Sequence, residues 1–239
     1  MTQIDSRRSP AMGPRRNRTN HRGTPQEVQP VHTTRPERQT VLMAASLLLD
    51  YPSEGYMERV SAVAEATAGL PDPLPEYFAA YCRWAADAGH RHVEEEYVRT
   101  FDEQRRCALE LSYYAVGDTR QRGQALLAFR ELFRAAGFEQ NDGELPDFLP
   151  TILELCAKSD DVVVDHVLPS HREGLEVLRT ALFQRDSPWT SVVTAICAVL
   201  PTIDDATRDR YQQLIRQGPP GELVGIHDLP FPTVQEARS

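Results

Sequence analysis

Apolar residues recur three and four positions apart through most of this sequence, which is the spacing of one face of an α-helix. The clearest such face consists of Leu126, Phe129, Leu132, Phe133 and Ala136. Asp118 and Gln121 form a capping-box pair at its start, and Gly137 is expected to end it. No stretch alternates apolar and polar residues for long enough to predict a strand. The pattern therefore predicts an all-α protein, a single helical bundle of about nine helices.

Residues that begin or break helices set the bounds of several further helices. The predicted spans are Arg38 to Tyr51, Ser53 to about Ala68, Leu74 to Ala88, and about Asp204 to Arg216. Three starts are expected to carry side-chain caps, namely Ser53, the pair Ser170 and Glu173, and Ser187 ahead of Pro188. Pro52 and Gly89 are expected to end the first and third helices.

The least ordinary stretch is the loop at residues 143–150, which reads GELPDFLP. It combines two prolines, two acids and three large apolar residues ahead of a helical pattern. Asp147 is expected to cap that helix, because proline is tolerated in the first helical turn. A stiff acidic loop of this kind is typical of a hinge, a binding edge or a tight connection. These three readings stay open at this point.

Composition divides the 239 residues into unequal parts. Residues 1–36 contain almost no large apolar side chains, so we predict a disordered, arginine-rich arm. A helical domain is expected over residues 37–217, followed by an irregular tail over residues 218–239. Residues 1–38 hold eight arginines and three acids, whereas residues 39–239 hold 32 acidic and 18 basic side chains. The arm is basic and the body is acidic.

This charge distribution narrows the class of partner. An acidic body argues against nucleic acid, because binding phosphates needs a basic face on the folded part. It favours a cationic peptide, or it simply keeps the surface soluble. Apolar runs are far too short to span a bilayer, which argues against membrane insertion. The four cysteines form no paired motif, so we predict a reducing, cytoplasmic location without disulfides.

Signatures of catalysis are absent from the sequence. It contains no phosphate-binding loop, no nucleophile elbow, and no zinc-binding pair of cysteines. His92 and Glu96, one helical turn apart, are a weak metal candidate. A metal-dependent enzyme of the helical-bundle type, built on Asp102, Glu144 and Asp147, stays open as an alternative. A non-enzymatic role is the leading prediction.

Three motifs in order resemble the respiratory nitrate reductase assembly chaperones, the NarJ or delta-subunit family within the TorD-like redox-enzyme maturation chaperones. They are YVRTFD at residues 97–102, GDTRQRG at residues 117–123 and ELPDFLP at residues 144–150. The resemblance implies a system-specific cytoplasmic chaperone. Its client would be the catalytic α subunit of nitrate reductase, recognised mainly through an N-terminal segment. Cofactor-biosynthesis proteins are possible further partners.

The resemblance also implies how the binding site is divided among residues. The groove surface for a client peptide would come from Tyr97, Phe101, Asp102, Tyr113, Tyr114 and Leu149. Negative charge would come from Asp118, Glu144 and Asp147, while Pro146 and Pro150 would hold the loop's shape. For each aromatic residue the alternative is core packing, and for each acid it is helix capping or solvation. No stably bound cofactor is expected, since the client receives the bis-molybdopterin guanine dinucleotide.

Two questions remain open in the sequence. The client could be a different molybdoenzyme, because only the second and third motifs point to nitrate reductase. The arginine-rich arm is long enough, at roughly 35 Å, to fold back on the acidic body and compete with a basic client peptide. An unstructured tail or a misassigned start codon is the favoured explanation of the arm.

Overall fold

The computed structural model describes residues 23–116, 121–139 and 143–201. Eleven α-helices occur in these residues: α1 Arg35–Leu49, α2 Tyr56–Thr67, α3 Leu74–Ala88, α4 His90–Tyr97, α5 Leu111–Val116, α6 Gln121–Ala135, α7 Leu149–Lys158, α8 Val162–Asp165, α9 Val167–Ser170, α10 Arg172–Gln184 and α11 Trp189–Ala198. A π-helical turn, Val98–Asp102, and a 3₁₀ turn, Arg105–Cys107, lie between α4 and α5. No strand is assigned in this part of the chain, and the all-α prediction is confirmed.

Helix α1 is the central element of the bundle. It packs against α7, α2 and α11, while α3 packs against α2 and α11 on the other side. Helix α10 connects α11 to α5, which in turn supports α6. The loop at residues 143–148 therefore lies directly before a helix that is held against α1. Within the loop, Pro146 and Asp147 are buried, whereas residues 143–145 are exposed.

One contiguous apolar core joins these helices. Trp189 at the start of α11 is fully buried, and its indole N–H donates to the Leu48 carbonyl at 2.9 Å. Tyr56 and Tyr81 are fully buried too, and their hydroxyls lie 2.6 Å apart. Each polar tip of these large side chains thus has a partner, as burial of an aromatic hydroxyl or indole requires.

The described chain begins before the first helix, as a strap over residues 23–34 that has no regular secondary structure. Val28 is buried, and the Val31 amide donates to the Ala198 carbonyl at 2.8 Å. Helix α1 then starts in a capping box, in which Thr34 and Glu37 exchange hydrogen bonds. The predicted disordered arm, residues 1–36, therefore overlaps the strap and the first turn of α1. Residues 1–22 lie outside the described part of the chain.

The helix ends agree with prediction better than the helix starts. Gly89 and Gly137 both adopt a positive φ of 77° just after α3 and α6, as a glycine stop requires. The caps predicted for Ser53, for Ser170 with Glu173, and for Ser187 are wrong. Helices α2, α10 and α11 begin at Tyr56, Arg172 and Trp189 without a side-chain cap. The predicted helix near residues 204–216 lies outside the described residues.

A buried ionic group lies in α10. Glu176 is 2 % exposed and accepts from Arg172 on one carboxylate oxygen and from Arg179 on the other, at 2.8 to 3.1 Å. Arg172 also donates to the Cys197 carbonyl at 2.8 Å, which ties α10 to the end of α11. Two buried positive charges therefore share one negative charge between these helices.

All four cysteines are buried free thiols. Burial raises the pKa of Cys82 and Cys107 to about 11, and that of Cys156 and Cys197 to about 12. Their thiols are therefore protonated at neutral pH and act as small apolar side chains.

Within the described ranges, no helix has both the length and the apolarity needed to cross a membrane.

Candidate functional site

The predicted loop pairs along its backbone with the segment that leads into α5. The Leu111 amide donates to the Asp147 carbonyl at 2.9 Å, and the Leu149 amide donates to the Leu109 carbonyl at 2.8 Å. An isolated antiparallel bridge joins Glu110 to Phe148 between these bonds. The loop is thus fastened to the start of α5, while α7 fastens its other end to α1.

Asp147 is completely buried and does not cap α7. Phe148 occupies the N-cap position without a side-chain hydrogen bond, so the predicted cap is wrong. The Asp147 carboxylate instead accepts from the Ser112 amide, at 3.2 Å, and from the Ser112 hydroxyl. A carboxylate at a helix start bonds to whichever amides point at it, and here the start of α5 supplies them. Asp147 therefore acts as a clamp between α5 and the loop.

The rest of the loop divides into buried and exposed faces. Pro146, Leu149 and Pro150 are buried, and the Pro150 carbonyl accepts from the Ser46 hydroxyl of α1 at 2.8 Å. Glu144 and Leu145 are exposed. The Glu144 carboxylate accepts from the Thr151 hydroxyl at 2.8 Å. The two prolines thus lie on the buried face of the loop.

An acidic and apolar surface surrounds the exposed face of this loop. We call it the rim, and it consists of Asp50, Tyr51, Glu144, Leu145 and Glu154. Tyr51 and Leu145 are 44 % and 43 % exposed, among the few large apolar side chains left open to solvent. Burial raises the pKa of Asp50, and the charges of Glu144 and Glu154 raise it further, whereas a backbone hydrogen bond from Tyr51 and the charge of Arg59 lower it. Glu154 is also ion-paired with Lys158, one helical turn later on α7. The rim therefore carries more negative than positive charge, with Arg59 and Lys158 beside its acids.

Sequence reasoning did not single out Asp50, Tyr51, Leu145 or Glu154. The predicted first helix includes Tyr51, but α1 ends at Leu49 and leaves Asp50 and Tyr51 beyond it. One feature of the sequence could have pointed to Tyr51. It is a large aromatic residue directly before Pro52, where the chain must leave the helix. The contact between α1 and α7 that brings the rim together has no local signature.

Tyr97 and Phe101 lie in the core. Both side chains are buried, their ring centroids are 4.7 Å apart, and both rings contact Trp189, at 5.8 Å and 5.1 Å. The Tyr97 hydroxyl donates to the Leu49 carbonyl at 3.1 Å. Tyr97 also meets Tyr51 of the rim edge to face, at 5.4 Å. It therefore supports the rim from below.

Asp102 is exposed at the end of the π-helical turn, which the sequence did not predict. Such turns insert one residue into a helix and often occur at functional sites. Asp102 is close enough to contribute to the raised pKa of Tyr97, behind burial and Asp50. Asp118, the remaining acid implied by the resemblance, lies outside the described residues.

Tyr113 and Tyr114 lie on α5, beside the loop. Their rings meet at 5.4 Å, and both side chains are buried. The Tyr114 hydroxyl donates to the Arg106 and Ala108 carbonyls at 3.2 Å and 2.8 Å. On the opposite side, Tyr114 presses against Gly174 of α10. The position of α5, and hence of the Asp147 clamp, depends on this close contact.

Gly174→Ala is expected to lower the free energy of unfolding by about 1–3 kcal/mol. A Cβ at this position would lie 2.7 Å from the Tyr114 Cβ, which cannot rotate away. Chemical denaturation measures the loss. Gly123→Ala on α6 is the matched control, because a Cβ there meets nothing within 4 Å and should stabilise the helix by up to about 1 kcal/mol. Equal effects of the two substitutions would contradict the close contact.

The acids of the metal-enzyme alternative do not come together. One carboxylate oxygen of Asp147 accepts from Ser112, and the residue is buried, whereas Asp102 and Glu144 are both exposed. Glu96, of the weaker His92 and Glu96 pair, accepts from Arg99 at 2.7 Å. Across residues 23–116, 121–139 and 143–201, no three or more histidines, cysteines and acids are grouped so that they could hold a metal ion.

The chain is similar to several known proteins. It is 32% identical over 157 residues to the nitrate reductase-like protein NarX of Mycobacterium tuberculosis, covering 66% of this chain and 24% of that protein. It is 26% identical over 172 residues to the probable nitrate reductase molybdenum cofactor assembly chaperone NarJ of Bacillus subtilis, covering 70% of this chain and 91% of the relative. Escherichia coli NarJ, a nitrate reductase molybdenum cofactor assembly chaperone, is 26% identical over 170 residues. These residues cover 70% of this chain and 72% of that protein.

The chain thus spans about a quarter of the NarX relative, but most of the length of both NarJ relatives. The family model described as "Nitrate reductase delta subunit" matches residues 67–195. That match extends from the end of α2 into α11. It therefore includes the π-helical turn, the fastened loop and the Asp147 clamp. This chain belongs to the nitrate reductase delta subunit family.

Proposed function

We propose that this protein is an assembly chaperone of a respiratory nitrate reductase, and not an enzyme. It binds the catalytic α subunit before the molybdenum cofactor is inserted, and it leaves once the complex has assembled. The observation that carries the proposal is family membership, together with coverage of 91% of a relative named as such a chaperone. The α subunit, rather than the chaperone, holds the cofactor in the finished enzyme.

The rim supports binding of a peptide from that client. Tyr51 and Leu145 offer apolar contacts in a surface that otherwise carries Asp50, Glu144 and Glu154. An amphipathic helix with a basic edge fits such a surface, since apolar anchors supply affinity while opposite charges orient the peptide and speed association. We propose that the client's N-terminal segment binds here.

The buried residues that the resemblance implies would then hold the exposed residues in place rather than contact the client themselves. Asp147 fixes the loop that carries Glu144 and Leu145, while Tyr97 and Phe101 pack beneath Tyr51. Direct contact with a client would fall to exposed residues such as Glu144. The protein would act in the cytoplasm, where the cofactor-free client is made, with cofactor-biosynthesis proteins as further partners.

Co-purification with the α subunit tests this function. The tagged full chain is expressed with the α subunit of the same organism, once in cells able to make the molybdenum cofactor and once in cells blocked in its synthesis. The cofactor-free subunit should be retained, and the assembled enzyme should not. Equal retention of both forms, or of neither, would contradict the proposal. A cofactor-free subunit of another molybdoenzyme serves as the specificity control.

A further inference from the structure

A groove runs along α3 and α11, on a different part of the surface from the rim. It consists of two neighbouring cavities of about 690 Å³ and 440 Å³, which share Tyr77, Thr190 and Thr194. The larger cavity is lined on one side by the chain's own strap, from Pro25 to His32. The smaller cavity has no residue of the described strap in its lining and is open. We call the two together the α3–α11 groove.

The direction of the strap follows from its neighbours. Residues 30–33 line a further cavity with Val199, Leu200 and Pro201, at the end of α11. Residues 30–32 also line the larger groove cavity, whereas residues 25–29 line only the larger groove cavity, together with Thr190 and Thr194. The strap therefore runs antiparallel to α11, and its start lies nearer to the open cavity. Only two residues separate Pro25 from Arg22, a reach of about 10 Å when extended.

The open cavity presents hydrogen-bond acceptors. The hydroxyl protons of Thr190, Ser191 and Thr194 are donated to backbone carbonyls one turn earlier in the chain, at 2.7, 3.3 and 2.7 Å. Their oxygens can still accept. Ser187 lines the same cavity, is 6 % exposed, and its buried hydroxyl has no partner in the described part of the chain. A buried polar group of this kind normally has one.

The charges and aromatic rings of the groove favour a cation. Among the described residues that line the open cavity, Asp186 supplies a negative charge and Trp84 offers a half-buried indole face. Glu27 and Asp72 line the larger cavity, and the charge of Arg179 there is met by Glu176. Arginine side chains combine many donors with stacking on indole rings. An extended segment that carries arginines meets each of these requirements.

We propose that the α3–α11 groove is the docking site of the chain's own N-terminal segment, residues 1–22. This segment holds six arginines and one acid, Asp5, and it enters the described fold at the groove. The strap already lines the neighbouring cavity, which brings the start of the described chain to the groove. Arginine donors meet the α11 hydroxyl oxygens, and a guanidinium lies on Trp84. This inference does not depend on the proposed function.

Docking of the chain's own N-terminal segment would hinder binding of other basic peptides to the groove. A tethered segment competes at an effective concentration in the millimolar range, so a separate basic peptide would have to displace it from the groove. The arm would then exclude unrelated cationic peptides from this surface while leaving the rim open. The competition is electrostatic in large part and should therefore weaken with salt.

Intramolecular photo-crosslinking in the full chain tests the proposal. A photoreactive phenylalanine analogue replaces Tyr77 in one variant and Ser191 in a second, so that a folding defect in one does not decide the result. Mass spectrometry should find crosslinks to residues 1–22 within the same molecule at low salt. Crosslinks confined to residues 25–33, or to a second molecule, would overturn the proposal. The same analogue at Leu127, an exposed position on α6, is the positional control.

Charge and acceptor variants sharpen the test. Combined Arg15→Gln, Arg16→Gln and Arg18→Gln should lower the crosslink yield about fivefold to tenfold at low salt. Asp186→Asn should lower it too, and asparagine tolerates the positive φ of 56° at this position. Thr194→Val removes one acceptor, while Ser61→Ala, another back-bonded hydroxyl on α2, is its control. If none of these substitutions changed the crosslink yield, the proposed contacts would be overturned.

Discussion

Glu176→Gln is expected to lower the free energy of unfolding by about 3–5 kcal/mol. Glu176 lies between Arg172 and Arg179, all three side chains are buried, and it bonds to both at 2.8 to 3.1 Å. Glutamine keeps the size of the side chain but leaves two buried guanidinium groups without a negative charge. Removing one partner of a buried ionic group costs far more than the intact group contributes. Denaturant unfolding followed by circular dichroism measures the change.

Glu95→Gln is the matched control for this substitution. Glu95 accepts from Arg91 one helical turn away at 3.2 Å, but this pair is exposed to solvent. Such pairs contribute roughly 0.3–0.5 kcal/mol. If the two substitutions had equal effects, Glu176 would not be compensating buried charge. A loss confined to Glu176→Gln would show that the contact of α10 with α11 needs the complete ionic group.

Asp147→Ala is expected to lower the free energy of unfolding by about 2–4 kcal/mol. It removes the carboxylate that accepts from the amide and the hydroxyl of Ser112, and it leaves both donors buried. The exposed Glu144, three residues earlier in the same loop, provides the control, and Glu144→Ala should cost under about 1 kcal/mol. Equilibrium unfolding of both variants tests whether the clamp fastens α5 to the loop.

A double-mutant cycle with Ser112→Ala separates the clamp from general packing. If Asp147 and Ser112 act through one another, the double variant should lose less stability than the two single variants together, by about 1 kcal/mol or more. Strict additivity would show that Asp147 matters for another reason. The cycle also serves as a control for the binding measurements. A loop released from α5 would move Glu144 and Leu145, and would thereby change binding indirectly.

Local patterns predicted the fold well where the determinants lie close together in sequence. Helix α3 has its predicted bounds, Leu74–Ala88, because Gly89 ends it and its apolar face is regular. The predicted start of α1 at Arg38 is wrong, although the sequence from Thr34 to Glu37 holds a capping box with proline inside the first turn. The apolar periodicity begins only at Val41, so it does not show where α1 starts. The capping residues Thr34 and Glu37 do mark that start.

The candidate site was harder to predict because its contacts are distant in sequence. Asp147 resembles an N-cap locally, yet the donors come from Ser112, on a different helix. Tyr97 and Phe101 have the spacing of an apolar stripe that packs in a core. Both rings do lie in the core, where they contact Trp189. The rim exists only because α7 packs on α1. No window of sequence contains both elements.

The strap shows where composition is a poor guide. Few apolar residues occur in residues 1–36, which argued for disorder of the whole segment. Two of the few, Val28 and Val31, lie at the end that reaches α11, where one is buried and the other donates to Ala198. An average over a segment conceals such a local anchor. The resemblance to the delta-subunit family, by contrast, rested on ordered motifs and is confirmed.

Calorimetric titration with a client peptide tests the central claim most directly. The full chain is titrated with a peptide from the N-terminus of the nitrate reductase α subunit, and with an export-signal peptide of another molybdoenzyme. We predict selective binding of the first peptide, weakened about tenfold by Leu145→Ala and unchanged by Leu127→Ala, a second exposed leucine. Equal affinity for both peptides, or no effect of Leu145→Ala, would contradict client recognition at the rim.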